Sequence, residues 1–205
     1  MNWRLNNIKY PIYNLGEGKR IGIWIQGCTL YCKGCVNQTL WSKTGGKSIN
    51  VFDVYNIITE IANEYDGLTI SGGEPFQQYE QLMVFLHLIK TKTELNVYCF
   101  TGYELEELNK LYPDKLFYKY IDTLITGRYE INNNSNDNYR GSTNQILYSF
   151  ESGKPVIIGN PFVSKKWSIS VNKKSQIQMV GIPKWDELKK IEGDLKLIKI
   201  NKKFI

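Results

Sequence analysis

The 205-residue sequence predicts an α/β fold on two observations: strand and helix signals alternate through its first two-thirds, and its two most distinctive motifs fall directly after strands. Arg20–Gln26 is β-branched and reads as the first strand. Val51–Tyr65 sets Val51, Val54, Ile57, Ile58 and Ile61 on one helical face, with Asn50 placed to cap it. Gly67–Ser71 is the next strand, Tyr79–Lys90 the next apolar-periodic helix, and Asn96–Thr101 the strand after that. Glu104–Leu111 is a short helix that stops before Pro113, and Ile121–Thr126 ends the series as a strand. The order β-α-β-α-β-α-β implies parallel strands joined by right-handed crossovers, with ligands gathered at the strand C-terminal ends.

Beyond these elements, Asn132–Asn138 is a polar, turn-rich loop. From Lys165 the pattern changes to two short strands about a turn near Asn172–Lys174, followed by an amphipathic helix over Lys184–Ile191. The expected organisation is one domain over 1–205, with a core over about 14–150 and a basic extension over about 151–205.

Hydrophobic and charged fractions of 42% and 22% exclude global disorder and fibrous repeats. No apolar run approaches the roughly 18 residues of a membrane span, and MNWRLNNIKY lacks the apolar centre of a secretion signal, so a soluble cytoplasmic protein is expected. The net charge of +6 is uneven: residues 1–150 hold 14 basic and 15 acidic side chains, residues 151–205 hold 12 and 5. The lysines of the tail are interleaved with apolar residues rather than clustered. They read as a solvated surface before a docking face for an acidic partner, and nucleic acid comes last.

Cys28, Cys32 and Cys35 stand as C-x3-C-x2-C just after the first strand. Three of four cysteines within eight positions do not make a disulfide framework. Three thiolates can hold three corners of a four-iron cluster and leave the fourth iron open to a small molecule. The same spacing also suits a zinc site or unrelated buried cysteines. Structural zinc needs four ligands, however, and the remaining candidates, Cys99 and His87, lie in no second knuckle. Cys99 reads as a small buried hydrophobe and His87 as a structural residue of its helix. Gly72–Gly73–Glu74–Pro75 follows a strand and precedes a helix. Its glycines permit close backbone approach and positive φ, although such a segment alone is most often a turn.

GCTLYCKGCVNQTLW (Gly27–Trp41) followed by ISGGEP (Ile70–Pro75) resembles the radical S-adenosylmethionine enzymes. Asn37 and Trp41, TGYELEEL (Thr101–Leu108), DTLITGRYE (Asp122–Glu130) and RGSTNQ (Arg140–Gln145) are similar to the glycyl-radical activating branch, the likeness covering roughly residues 14–147. The resemblance implies a partial (β/α)6 TIM-like barrel with an open lateral mouth, a [4Fe-4S] cluster on Cys28, Cys32 and Cys35, and S-adenosyl-L-methionine as cofactor. It places the methionine amino group on Gly72, Gly73 and Glu74, the ribose near Thr101, and Ser142, Asn144 and Gln145 near the cofactor or an incoming glycine loop. Many members carry an aromatic before the last cluster cysteine; this chain has Gly34, which lays adenine on the backbone about Gly34–Val36, with Tyr31 or Trp41 as substitutes. The implied reaction is hydrogen abstraction from a glycine of a partner glycyl-radical enzyme, with anaerobic ribonucleotide reductase expected as the partner and flavodoxin or ferredoxin as reductant. Two alternatives stay open. A 7-carboxy-7-deazaguanine synthase shares a GEG segment like Gly16–Glu17–Gly18 but has Asp after the last cysteine, where this chain has Val36. The other is a non-enzymatic iron–sulfur or zinc module.

Overall fold

A computed structural model of the chain describes residues 1–135, 139–159, 167–171, 177–181, 187, 189–190, 193 and 202–204. Its elements in chain order are β1 (Asn2–Ile12), β2 (Arg20–Ile25), β3 (Lys47–Asn50), α1 (Val51–Ile61), β4 (Gly67–Gly72), α2 (Tyr79–Lys92), β5 (Asn96–Phe100), α3 (Leu105–Leu111), α4 (Phe117–Tyr120) and β6 (Thr123–Thr126). There follow β7 (Ile146–Glu151), β8 (Lys154–Ile157), β9 (Trp167–Val171), β10 (Ile177–Gly181) and β11 (Lys202–Phe204). The predicted series from Arg20 to Thr126 is present to within a few residues at each boundary. Asn50 does cap α1, its side chain accepting from the Phe52 amide at 3.0 Å. The predicted helix over Val51–Tyr65 ends as α at Ile61 and finishes in a 3-10 turn, Ala62–Glu64.

The fold is a mixed α/β structure built on one eight-stranded sheet, in the order β3-β1-β2-β4-β5-β6-β7-β8. β2, β4, β5 and β6 pair in parallel, while β1, β3, β7 and β8 join as antiparallel edges. Among the described residues the expected six β/α repeats are therefore reduced to four parallel strands, because both flanks are made by antiparallel neighbours, which need no crossover helix.

Alternation along the strands divides the sheet into two faces. Ile21, Ile23 and Ile25 of β2, Leu68 and Ile70 of β4, and Val97 and Cys99 of β5 pack under Val54 and Ile58 of α1 and Phe85, Leu86 and Ile89 of α2. Each of these core side chains contributes roughly 1.5–3 kcal/mol by leaving water. Arg20, Trp24, Thr69, Tyr98 and Phe100 take the alternate positions and face the other way. The continuous apolar runs of β2 and β4 thus reflect burial on both faces.

β1 went unread in the sequence, and the expected core began about twelve residues too late. The strand fills the place between β2 and β3 and buries Trp3 and Leu5 completely or nearly so. Its register slips between Leu5 and Asn7 and again between Lys9 and Ile12, and each slip breaks the period-2 pattern by which a strand is recognised.

The two predicted strands of the extension are β9 and β10, paired antiparallel, and β11 adds alongside β10. Their turn and most of the predicted helix over Lys184–Ile191 lie outside the described residues. Val180 of β10 is buried against Ile12, Leu15, Trp24 and Leu40, and the Asn14 amide donates to the Val180 carbonyl and to Ser168 Oγ. The extension is thereby seated on the sheet face opposite the helices. Among the described residues no helix is long and apolar enough to cross a membrane.

Candidate active site

The C-terminal ends of β2, β4, β5 and β6 surround a cleft of about 120 Å³. Cys28, Cys32 and Cys35 line it together with Gly72, Gly73, Glu74 and Thr101, so seven sequence-predicted site residues are brought to one place. Gly34, Val36 and Asn144 are not in its lining.

The cysteine loop is anchored by its backbone. Gly27 and Cys28 amides donate to the Leu40 and Trp41 carbonyls at 2.8 and 3.1 Å, and the Cys35 amide donates to Cys32 at 3.1 Å. The Asn37 amide points at Cys35 Sγ, 3.4 Å away, while the Asn37 side chain reaches the Gly72 carbonyl. All three thiols are free, Cys28 buried and the other two half-buried. Burial pushes the Cys28 and Cys35 thiols up, against the pull of neighbouring backbone amides. Such thiols ionise by binding a metal rather than in its absence.

The two glycines of GGEP are explained by backbone approach. A Cβ on Gly72, whose φ is +107°, would lie 2.5 Å from the Ile25 amide nitrogen, and one on Gly73 would lie 2.3 Å from the Gly27 carbonyl. The Gly73 and Glu74 amides donate to Ile25 and Gly27 at 2.8 and 2.9 Å. The motif is thus welded to the chain just before Cys28, which fixes one wall of the cleft against the other.

Glu74 is fully buried. Its Oε1 accepts from Thr101 Oγ1 at 2.8 Å and the Phe76 amide at 3.0 Å, and its Oε2 accepts from the Gly102 amide at 2.8 Å. Burial raises its carboxyl to about 7; the Gly102, Phe76 and Thr101 donors and the more distant Arg128 act the other way. Thr101 is held by the same bracket, since its hydroxyl also accepts from the Tyr103 amide at 3.1 Å.

The third wall comes from the segment after β6. Gln145 lines the cleft, its Nε2 donating to the Gly127 carbonyl at 2.8 Å and its Oε1 accepting from Gly141 and Ser142 amides. Asn144 is exposed instead and donates to the Arg128 carbonyl at 2.8 Å. Buried Ser142 accepts from the Glu130 amide. Gly34 has φ +77°, and a Cβ there would lie 2.4 Å from Ile131 Cδ1, so an isoleucine of this segment lies over Gly34. Trp41 lines the cleft with its ring edge-on to Tyr31, centroids 5.3 Å apart. Gly127 and Tyr129, also in the lining, fall within the matched segment Asp122–Glu130 without a role assigned to either, and Phe100 carried no sequence signal because only the fold brings the end of β5 to the cleft.

Cys99 is buried in the helix-side core. His87 is exposed, its Nδ1 3.2 Å from the Tyr120 hydroxyl. Gly16–Glu17–Gly18, the segment shared with the deazaguanine alternative, lies at the opposite end of the strands. There Gly16 and Gly18 make room for Arg20 and Asp66, so the segment is explained without a ligand.

This arrangement defines a class first: the model of the 4Fe-4S single cluster domain matches residues 14–148. The anaerobic ribonucleoside-triphosphate reductase-activating protein of Haemophilus influenzae is 35% identical over 144 residues, covering 66% of this chain and 91% of its own length. That of enterobacteria phage T4 is 31% identical over 142 residues, 67% and 88% of the two chains. A pyruvate formate-lyase-activating enzyme of Listeria monocytogenes is 34% identical over 79 residues, 37% of this chain and 32% of the relative. The crystal structure of QueE from Escherichia coli overlays at a TM-score of 0.40 and 20% identity over 50% of this chain and 53% of that one, too slight a likeness to decide between folds. The chain belongs to the family of anaerobic ribonucleoside-triphosphate reductase-activating proteins.

Proposed function

We propose that this protein is a radical S-adenosyl-L-methionine activase: it cleaves S-adenosyl-L-methionine reductively at a [4Fe-4S] cluster and removes a hydrogen atom from a glycine of a glycyl-radical enzyme, anaerobic ribonucleotide reductase. The observation that carries the reading is the convergence of three free cysteines and the buried Gly72–Glu74 segment on one cleft. Family membership supports the reaction and the partner.

The three cysteines that would hold the cluster line one cleft, although among the described residues no three His, Cys, Asp or Glu side chains already stand at metal-holding spacing. Three thiols offer three ligands and leave one iron for the methionine amino and carboxylate groups. When bound, cluster and cofactor together supply the electron and the adenosyl carbon radical that does the abstraction. The protein's own work is holding and shielding. Cys28, Cys32 and Cys35 would hold the cluster, and Gly72, Gly73 and Glu74 would receive the cofactor's amino group on carbonyl and carboxylate oxygens. Thr101 positions Glu74 through a 2.8 Å hydrogen bond and borders the ribose. Gly34 and Val36 would give adenine a backbone surface once Ile131 moves off Gly34, while Gln145, with exposed Asn144 beside it, borders the path of the incoming glycine. A cationic amino group beside Glu74 favours its ionised form and offsets part of the burial cost that raises the carboxyl to about 7.

In this reading the curved sheet acts as a partial (β/α)6-type barrel whose antiparallel edges leave a lateral mouth, residues 1–205 form one domain in the cytoplasm, and flavodoxin or ferredoxin provides the electron. Anaerobic reconstitution tests it. The protein should take up four irons, release 5′-deoxyadenosine from S-adenosyl-L-methionine, and raise a doublet electron-spin signal on co-expressed anaerobic reductase. Cofactor cleavage without that signal would refute the partner, and a reconstituted cluster indifferent to the cofactor would refute the activity.

A further inference from the structure

The cysteine loop closes on itself. At its entry the Gly27 and Cys28 amides donate to the carbonyls of Leu40 and Trp41; within the exit segment the Leu40 amide donates to Asn37 at 2.9 Å and the Trp41 amide to Gln38 at 3.1 Å. Residues 37–41 are therefore the neck of the loop. Two contacts carry the neck to the thiols: the Trp41 carbonyl holds the Cys28 amide, and the Asn37 amide points at Cys35 Sγ. Among the described residues the cysteines do not yet stand at metal-holding spacing, so metal uptake draws the loop inward while the neck keeps its two ends in register.

The neck is itself held in place. Leu40, 2% exposed, is its one buried side chain, and it packs in a cluster with Ile12, Leu15, Trp24 and Val180. The older end of that cluster is rigid, because the Leu15 carbonyl accepts from Thr69 Oγ1 at 2.6 Å and Thr69 in turn accepts from Arg20 at 2.7 Å. The other end is Val180, the cluster's single member from the extension. Val180 and Ser168 are register partners in β10 and β9, and the buried Asn14 amide grips both. The family model stops at residue 148, so this support is no part of the matched domain.

We propose that Val180 is a positioning residue of the iron–sulfur site: packed with Leu40, it fixes the neck that sets Cys28 and Cys35, and it makes the C-terminal extension part of the scaffold of the cluster. The inference rests on the activase reading for the cluster that is served. With Val180 in place, Leu40 has no room to shift, and the amide bonds that Leu40 and Trp41 accept stay short. A smaller side chain at 180 leaves a void into which the neck opens locally. Cys28 then meets solvent more often, and the Asn37 amide spends less time at the Cys35 sulfur, where hydrogen bonding helps to set the potential of a bound cluster.

The test compares Val180→Ala with Val54→Ala, the same substitution at a fully buried site of α1 on the other sheet face, both in the full chain. Denaturant unfolding measures what each costs the fold. Metal-free protein is alkylated with iodoacetamide and mapped by mass spectrometry, and reconstituted protein meets an iron chelator under argon while its visible absorbance is followed. Val180→Ala should speed Cys28 alkylation and iron loss by about fivefold, and Val54→Ala should leave both near the parent rates. Asn14→Ala, which loosens β10 without touching the apolar seat, should act in the same direction as Val180→Ala. Leu40→Ala should match Val180→Ala, and the double variant should add little to either. A redox titration followed by electron-spin resonance should give a lower cluster potential in Val180→Ala than in the parent, which a uniform loss of stability does not produce. The proposal is overturned if Val180→Ala keeps the parent rates, if Val54→Ala accelerates them equally, or if the Leu40 and Val180 effects simply add. Alkylation is read without metal, so it judges the seat even where reconstituted protein fails to cleave S-adenosyl-L-methionine, a failure that would fault the activase reading instead.

Discussion

The two ends of the central parallel strands bury opposite charges, and both do so without a salt bridge. At the N-terminal end Arg20 is 1% exposed; its guanidinium donates to Thr69 Oγ1 at 2.7 Å and to the carbonyls of Leu68, Asn96 and Glu17, and it lies 4.2 Å from the Tyr98 ring centre. At the C-terminal end Glu74, equally buried, accepts only from amides and one hydroxyl. Desolvation opposes charge at both ends: it draws Arg20 down to about 10 and Glu74 up to about 7. The consequence differs because the starting values differ. Arg20 stays charged at neutral pH and serves as a permanent clasp, while Glu74 sits near its balance point on the wall of a cleft, where a cationic ligand decides its state. One end of the sheet is closed and structural; the other is poised for a ligand.

The largest effect should come from the closed end. Arg20→Leu leaves three carbonyls and a threonine hydroxyl without their donor and should cost about 3–5 kcal/mol of stability. Cofactor affinity per folded molecule should stay near the parent value. Denaturant unfolding beside equilibrium dialysis would check this, and a variant that lost affinity while keeping its stability would break the contrast.

Next in size is a pH effect confined to the open end. Glu74 has a folded value above the unfolded one near 4.5, so the fold binds the extra proton. Its contribution is complete below about 4.5 and drains away as pH rises to about 7, on the order of 3 kcal/mol in all. Arg128 offsets part of this, and the Cys28 and Cys99 thiols and the Tyr112 phenol face the same carboxylate. Urea titrations of the metal-free protein at several pH values should reveal a slope in the parent that Glu74→Gln lacks.

Glu74→Gln should also weaken S-adenosyl-L-methionine binding about tenfold, or roughly 1.4 kcal/mol, by removing the negative charge that meets the amino group. Calorimetry on reconstituted protein would measure it, and unchanged affinity would leave Glu74 a structural bracket only. The smallest change is Thr101→Val, which deletes two hydrogen bonds at one hydroxyl and should cost about 1 kcal/mol, read as a small drop in thermal midpoint.

Much of this was legible in the sequence, for identifiable reasons. The parallel core could be read because β2, β4 and β5 are buried on both faces and their apolar runs are continuous. β1 could not, because two register slips scramble its alternation. The cysteines and GGEP announced the cleft, yet the role the structure shows for the glycines is another one: they permit contact with Ile25 and Gly27, a neighbour some 45 residues earlier that no local pattern reveals. Adjacent polar residues are hard to assign to faces without the turn that carries them. Asn144 and Gln145 are both expected near the cofactor or the glycine loop, and the fold turns Gln145 into the cleft and leaves Asn144 exposed. Ile131 over Gly34 was invisible for the same reason, being a contact across nearly a hundred residues.

The seating of Val180 beneath Trp24, with Asn14 tied to the strand that carries it, bears on how the tail can be handled. A gene shortened to the span shared with the matched relatives would bare an indole and a desolvated amide on an otherwise finished face. Such a product invites clumping, so the extension acts as an obligatory partner of the central sheet rather than a removable appendage.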